Sequence, residues 1–351
     1  MAFLYTYCGI WYTYKCIHEN EILVQNYIFR RRQLKKYICF LLVFVVIGLG
    51  FLLCKNTFMS NPVKYIAANP DRGFHYGYYY YIPQHLKNNG QGTYLLIEPN
   101  NTGFPSDDKK VFQDNAKNIL ESKKSMAEEL GCILLVPTFE RPQSSDLMYT
   151  HALDRDTLLN NTGSLARIDL QLINIIDDVS TLCLRKGIAI EPKILMDGFS
   201  ASGTFVNRFV ALHPEIVKAA VSGGVNSMPI LPLNTMNGEC LIYPVGISDI
   251  EEITGTPFNL DQYITVPQLI YMGEEDDNDT LPYDDAFGEE ERRMILIVLD
   301  KDMKKRWALS KQIYEMQGCS AVEFTTYQGV GHEITDKIER DIVQFFKNHM
   351  N

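Results

Sequence analysis

The chain has 351 residues, of which 46% are hydrophobic and 22% are charged, and its formal net charge is −10. This composition is typical of a globular protein with a sizeable core. Residues 1–55 contain seven lysines and arginines but only two acidic residues, so the rest of the chain carries a charge of about −15. So acidic a body repels phosphate backbones, which argues against a nucleic-acid partner.

The first predicted element is a membrane-spanning helix. The basic run RRRQLKK at 30–36 precedes YICFLLVFVVIGLGFLLC at 37–54, which is eighteen residues without a charge. As a helix this run is about 27 Å long, close to the thickness of the hydrocarbon core of a bilayer. Basic residues stay in the cytoplasm, so we expect a cytoplasmic segment over 1–36, a signal-anchor over 37–54 and a domain over 60–351 outside the cytoplasm. No small-x-small cleavage site follows, which favours an uncleaved anchor.

Strands and helices alternate along the body. Apolar runs predict strands, and apolar residues at helical spacing before a glycine predict helices. The predicted strands are 76–83, 93–99, 132–137, 193–198, 217–224, 265–273 and 321–329, and the predicted helices are 107–131, 164–187, 201–214, 301–318 and 333–350. This alternation indicates one α/β domain with a mostly parallel, doubly wound sheet and helices on both faces. The remaining long stretches, 138–163, 224–264 and 274–301, are predicted to be irregular.

The stretch MDGFSASGTF at 196–205 joins a predicted strand to a predicted helix. Small residues at Gly198, Ser202 and Gly203 allow strand and helix to approach closely, and the sharp turn between them forces Ser200 into a strained conformation that exposes its hydroxyl. Amide groups at the start of the helix face that hydroxyl and stabilise negative charge. The pattern therefore indicates a catalytic serine, although a glycine-rich helix entry without a catalytic role has the same composition.

These residues resemble the nucleophile motif G-x-S-x-G of the α/β-hydrolase superfamily, with Ser202 in the place of the second glycine. The resemblance extends over residues 76–350 and implies the α/β-hydrolase fold. Within the superfamily the chain resembles the esterase and polyhydroxybutyrate-depolymerase-like group through GFSASG, an asparagine-rich loop at 100–103 and GVGHEIT at 329–335.

The resemblance also implies a catalytic triad, because the superfamily has its acid after a late strand and its histidine after the last strand. Asp276 in QLIYMGEED and His332 in TYQGVGHEIT match those positions, and they complete a triad with Ser200. Asp279 is the alternative acid within the run EEDDND. His213 at a helix end is predicted to cap or pack, whereas His151 in a long loop is a candidate for contact with the substrate.

By the same resemblance, the amide of Ala201 and that of Asn101 or Thr102 form an oxyanion hole. These assignments imply a serine hydrolase that cleaves small or polymeric carboxylic esters through an acyl-enzyme, with no cofactor and no metal. Two other functions stay open. One is an extracellular acyltransferase of the same fold, and the other is a surface-binding protein that has the fold without the activity.

Overall fold

The computed structural model describes residues 63–88, 90, 92–225 and 227–350. The predicted cytoplasmic segment and the predicted anchor at 37–54 lie outside these residues. Within the described ranges, no helix combines the length and the apolar character that crossing a bilayer requires. The described residues belong to one compact unit.

An eight-stranded sheet forms the centre of the domain. Its strands are β1 (Lys64–Ile66), β2 (Tyr78–Tyr81), β3 (Leu95–Ile97), β4 (Ile133–Pro137), β5 (Ile194–Phe199), β6 (Val217–Gly223), β9 (Gln268–Gly273) and β10 (Val322–Tyr327). Their spatial order is β1-β2-β4-β3-β5-β6-β9-β10. Strand β2 is antiparallel to both β1 and β4, whereas the pairs β4-β3, β3-β5, β5-β6, β6-β9 and β9-β10 are parallel. Two short strands, β7 (Thr235–Met236) and β8 (Glu239–Cys240), form a separate hairpin. The predicted mostly parallel sheet is confirmed.

Helices cover both faces of this sheet. They are α1 (Lys109–Leu130), α2 (Arg155–Leu159), α3 (Ile168–Leu184), α4 (Ala201–Leu212), α5 (Ile250–Thr254), α6 (Leu260–Tyr263), α7 (Glu289–Val298), α8 (Met303–Met316) and α9 (Asp336–His349). Apolar side chains of α3 and α4 form one core layer with the sheet, and those of α1 and α9 form a second layer. The inner strands β3, β4 and β9 are buried on both faces, so they read as continuous apolar runs in the sequence.

The stretches predicted to be irregular contain four helices, and that prediction was wrong for them. Helix α7 is the longest, and its buried positions include Met294, Ile295 and Val298. Its first five residues, EEERR, give no apolar signal, because the residue among them that is buried is the charged Glu291. The other three helices, α2, α5 and α6, have four or five residues each, which is too short for a periodic pattern.

Candidate active site

Ser200 lies at the sharp turn between β5 and α4. Its backbone has φ 63° and ψ −126°, a conformation that is costly for any residue with a side chain. The turn is held by a hydrogen bond of 2.9 Å from the Ser200 amide to the carbonyl of Gly223 at the end of β6. The predicted elbow therefore exists, and it places Ser200 at the carboxyl edge of the sheet, where parallel α/β sheets bind their ligands.

The two serines of the motif have different environments. The Ser202 side chain is buried, with its hydroxyl donating to the Phe199 carbonyl at 2.9 Å and accepting from the Phe199 amide at 3.0 Å. Ser202 thus ties the first turn of α4 to the end of β5. Ser200 is partly exposed at the tip of the turn. Of the two serines, Ser200 is therefore the more accessible to solvent.

Close approach of the backbones explains the small residues around Ser200. A Cβ atom on Gly203 would lie 2.3 Å from the Gly223 carbonyl oxygen, and one on Gly198 would lie 2.4 Å from the Ser202 carbonyl oxygen. Both distances are far below van der Waals contact, so neither position accepts a side chain without a backbone shift. The predicted steric reason for these two glycines is confirmed.

His332 and Asp276 are brought together from segments 56 residues apart. The Nδ1 atom of His332 lies 2.9 Å from Oδ2 of Asp276, whose side chain is 3% exposed. Burial would raise the pKa of this carboxyl group, but hydrogen bonds from the imidazole and from the backbone amide of Asn278 outweigh burial and lower the pKa. An ionised Asp276 accepts the Nδ1 proton, which leaves the lone pair of the imidazole on Nε2.

Asp279, the alternative acid, has a different partner. Its Oδ2 forms an ion pair of 2.6 Å with Nη2 of Arg306, whose side chain is 0% exposed. Its Oδ1 accepts hydrogen bonds from the Ser227 hydroxyl at 2.7 Å and from the Leu281 amide at 3.1 Å. Asp279 therefore anchors the acidic loop, while Asp276 is the carboxylate that contacts His332.

The imidazole of His332 lies beside the elbow. Its ring centroid is 4.6 Å from that of Phe199, the residue before Ser200. A Cβ atom on Gly224, which follows the carbonyl that binds the Ser200 amide, would lie 3.0 Å from Cε1 of His332. The structure thus gathers the three residues of the predicted triad at one edge of the sheet.

Asn278 is a further polar residue at this site, and the sequence analysis did not single it out. Its Nδ2 atom lies 3.1 Å from Nε2 of His332, and its backbone amide donates to Oδ1 of Asp276 at 3.0 Å. Because the Nδ1 proton goes to Asp276, Nε2 accepts and the Asn278 amide donates. Within the run EEDDND the asparagine has no distinguishing signal, since only its distance from a residue 54 positions away reveals the contact.

The loop after β3 lies against the elbow, as the oxyanion-hole prediction requires. The Asn101 side-chain nitrogen is 3.5 Å from the Phe199 carbonyl oxygen, and the Asn101 carbonyl accepts a hydrogen bond of 2.7 Å from Asn115 on α1. The Thr102 hydroxyl donates to the Phe104 carbonyl at 2.7 Å, so it stabilises the loop itself. Ala201 is the first residue of α4, where an amide has no acceptor within the helix.

His151 does not line an open pocket in this structure, because its side chain is 1% exposed. Its Nε2 atom donates to the Phe139 carbonyl at 2.8 Å, and burial lowers the pKa of the imidazole to about 4, so the ring is neutral. Asn100 pairs with both the amide and the carbonyl of the same Phe139, at 3.0 and 2.8 Å. His151 thus contacts Asn100 and Phe139 at the base of the 100–103 loop, and its contact with a substrate stays a prediction.

Two buried carboxyl groups and a largely buried lysine lie at the ends of β3 and β5 and on α1. The Lys123 Nζ atom is 2.6 Å from Oδ2 of Asp197 and 3.5 Å from Oε2 of Glu98. We call these three residues the buried ion cluster. Burial raises the pKa of Glu98 well above its ordinary value despite the attraction of Lys123. The cluster connects the end of β3, the end of β5 and α1, and a charged residue inside an apolar strand is its only signal in the sequence.

His213 is the C-terminal cap of α4, in agreement with its predicted role. Its Nε2 atom lies 2.9 Å from Oδ2 of the buried Asp169. Among the residues that the structure describes, no group of three or more His, Cys, Asp and Glu side chains is arranged to hold a metal ion.

The sequence matches no protein-family model and no curated protein. The structure is similar to that of poly(aspartic acid) hydrolase-1 from Sphingomonas sp. KT-1, with a TM-score of 0.53 and 17% identity over 82% of this chain and 98% of the other. It is also similar to LpqC, a poly(3-hydroxybutyrate) depolymerase from Bordetella parapertussis, with a TM-score of 0.51 and 14% identity over 82% of this chain and 90% of the other. Similarity at this level of identity establishes a shared architecture, and the described part of the chain has the α/β-hydrolase fold.

Proposed function

We propose that this protein is a serine hydrolase that cleaves carboxylic esters through a Ser200–His332–Asp276 triad. One observation carries the proposal: a strained serine stands at the start of a helix with a histidine–carboxylate pair beside it. Strain of this kind persists only where the surrounding structure enforces it, and it concentrates at functional sites. A connecting turn needs neither the strain nor the ion pair.

The mechanism follows from the tautomer of His332. With Nδ1–H held by Asp276, Nε2 removes the proton of the Ser200 hydroxyl as its oxygen attacks the ester carbonyl. The imidazolium then transfers that proton to the departing alcohol, which leaves an acyl group on Ser200. Water attacks the acyl-enzyme in the same manner and releases the acid. Asp276 stabilises the imidazolium in both half-reactions because it is ionised and buried.

The oxyanion of each tetrahedral intermediate is assigned to the amide of Ala201 and to an amide of the 100–103 loop, with Asn101 or Thr102 as donor. Two features support this assignment. Ala201 occupies the N-terminus of α4, where partial positive charge accumulates. The loop is anchored to α1 through Asn115 and stays beside Phe199. Donors fixed before the reaction cost no reorganisation when charge develops.

A polymeric ester substrate agrees with the name of one similar protein, a depolymerase of the polyester poly(3-hydroxybutyrate), whereas the other is named for hydrolysis of poly(aspartic acid), a polyamide. A panel of p-nitrophenyl esters from acetate to palmitate, given to the full-length chain, measures the acyl length that the pocket accepts. An assay with alcohol acceptors separates hydrolysis from acyl transfer, since a transferase forms a new ester faster than free acid.

Labelling with a fluorophosphonate probe tests the proposal itself. We expect the wild-type chain to be labelled, Ser200→Ala not to be labelled, and Ser202→Ala to retain labelling because its hydroxyl binds only the backbone of Phe199. Absence of labelling in folded wild-type protein would support the non-catalytic binding protein instead. Labelling that is lost in Ser202→Ala but kept in Ser200→Ala would overturn the choice of nucleophile.

We also propose that residues 37–54 anchor the protein in a membrane with the hydrolase domain outside the cytoplasm. The uncharged run and its basic flank at 30–36 support this proposal. Protease added to intact cells is expected to remove the domain and to leave a small membrane-bound fragment. Full protection of the domain against the protease in intact cells would contradict this proposal.

A further inference from the structure

We propose that Asn278 donates a hydrogen bond to the leaving-group oxygen of the ester, an inference that rests on the proposed function. The observation behind it is the contact of 3.1 Å between Nδ2 of Asn278 and Nε2 of His332. Nε2 is the atom that must give its proton to the departing alcohol. A donor so close to Nε2 lies where that oxygen has to arrive.

The protonation cycle of His332 sets the sequence of contacts. In the substrate-free state Nε2 carries a lone pair and accepts the Asn278 amide, because Nδ1–H is held by Asp276, and this bond has to break when the Ser200 hydroxyl takes the same lone pair. Once Nε2 has taken the Ser200 proton it is itself a donor, and it no longer accepts a hydrogen bond from Asn278. The new acceptor that the proposal assigns to Asn278 is the ester oxygen to which Nε2–H donates.

The tetrahedral intermediate then collapses. The bond between the carbonyl carbon and the alcohol oxygen breaks, and its electron pair moves to that oxygen. The proton on Nε2 of His332 transfers to the same oxygen, which yields free alcohol, acyl-Ser200 and neutral imidazole. Asn278 donates throughout this step to the oxygen on which negative charge develops, and it returns to Nε2 when the alcohol departs.

Asn278 is held in place before the reaction. Its backbone amide donates to Oδ1 of Asp276 at 3.0 Å. On its other side, Asp279 is fixed by the fully buried Arg306 and by the hydroxyl of Ser227. The loop is therefore clamped on both sides of Asn278, which is the preorganisation that a donor to a developing charge requires.

A positioning role and a leaving-group role make different predictions. If Asn278 only orients the imidazole, its loss slows all esters by the same factor. If it stabilises the leaving oxygen, the fall in kcat/KM grows with the pKa of the alcohol, because the oxygen of a poor leaving group carries more negative charge in the transition state. p-Nitrophenoxide needs little help, whereas an alkoxide needs much.

The test is a series of acetate esters with p-nitrophenol, phenol, trifluoroethanol and ethanol as leaving groups, assayed with the full-length chain. For Asn278→Ala we expect kcat/KM to fall about tenfold more for ethyl acetate than for p-nitrophenyl acetate, the size of one hydrogen bond to a charged atom. Asn278→Asp keeps the shape but cannot donate, so we expect it to show the same trend. Asp277→Asn, at an exposed position next in the loop, is the control and should follow the wild type.

An equal loss across the series in both variants would overturn the inference and leave Asn278 as a positioning residue. The inference would also be overturned if kcat/KM depended on the pKa of the leaving alcohol as steeply in the wild type as in the variants. Failure of the proposed function looks different, because wild-type protein would then hydrolyse none of the four esters and would not react with the fluorophosphonate probe. Thermal unfolding of each variant identifies one that has not folded, and the second substitution then supplies the result.

Discussion

Replacement of Asp276 by asparagine separates the triad acid from its alternative more sharply than any other substitution. The side chain accepts two hydrogen bonds, one on each oxygen: Oδ1 accepts from the Asn278 backbone amide, and Oδ2 accepts from Nδ1–H of His332. An asparagine here keeps its oxygen toward the backbone amide, since the reverse orientation sets two buried donors against each other. Its NH2 group then faces Nδ1 and forces the proton of the imidazole onto Nε2.

Two contributions raise the activation free energy in Asp276→Asn. To act as a base the imidazole has to return its proton to Nδ1, where Nδ1–H faces the NH2 group of the asparagine, and two facing donors without an acceptor cost about 1–3 kcal/mol. The loss of the charged hydrogen bond to the imidazolium in the transition state costs about 1.5–3 kcal/mol more. The two contributions sum to about 2.5–6 kcal/mol, which corresponds to a fall in kcat of about 10²–10⁴-fold.

The assay measures kcat on a p-nitrophenyl ester for Asp276→Asn and for Asp279→Asn, together with the free energy of unfolding of each. We expect Asp276→Asn to lose activity and to unfold nearly as the wild type does. Asp279→Asn should do the opposite, because it leaves the fully buried Arg306 without its carboxylate and costs about 2–4 kcal/mol of stability. If Asp276→Asn keeps activity within tenfold of the wild type while folded Asp279→Asn loses 10³-fold, the assignment of the acid is refuted.

Three further predictions concern stability, each measured by denaturant or thermal unfolding. Gly203→Ala should destabilise the domain by about 1–3 kcal/mol, because its Cβ would lie 2.3 Å from the Gly223 carbonyl oxygen. Gly331→Ala is the control, because a Cβ at Gly331 meets nothing within 4 Å and should change stability little. Equal effects of the two substitutions would refute the steric argument. Lys123→Met should cost about 3 kcal/mol, because it leaves the two carboxyl groups of the buried ion cluster without their cation, and a neutral result would mean that the cluster contributes no net stability. Burial would lower the pKa of His213, but the hydrogen bonds to its carboxylate partners outweigh burial and raise the pKa. The contribution of His213 to the free energy of unfolding should therefore be complete below pH about 6.5 and be lost as the pH rises through the raised pKa. His213→Gln should destabilise the domain more at pH 6 than at pH 9, and an effect independent of pH would contradict this.

Local patterns in the sequence were sufficient for the βαβ order and for the elbow. Strands buried on both faces are continuous apolar runs, and helices such as α1 and α9 carry regular apolar stripes. Each of these elements can therefore be predicted from about twenty consecutive residues. The small residues at Gly198 and Gly203 likewise act within a few positions of the chain. Helix α7 was missed because its first half is charged and its short apolar face has meaning only against the residues that cover it.

Contacts between distant segments could not be read from the sequence, because spacing along the chain does not measure distance in space. The run EEDDND offers three aspartates, and only the folded loop places Asp276 against His332 and Asp279 against Arg306. In the same way the contact of Asn278 with the imidazole bridges 54 residues, and Lys123 reaches Asp197 across 74. The sequence by itself determined which groups are present and at which edge of the sheet they emerge; the tertiary structure decided their partners, since hydrogen bonds and ion pairs depend on separations of about 3 Å that many segments set together.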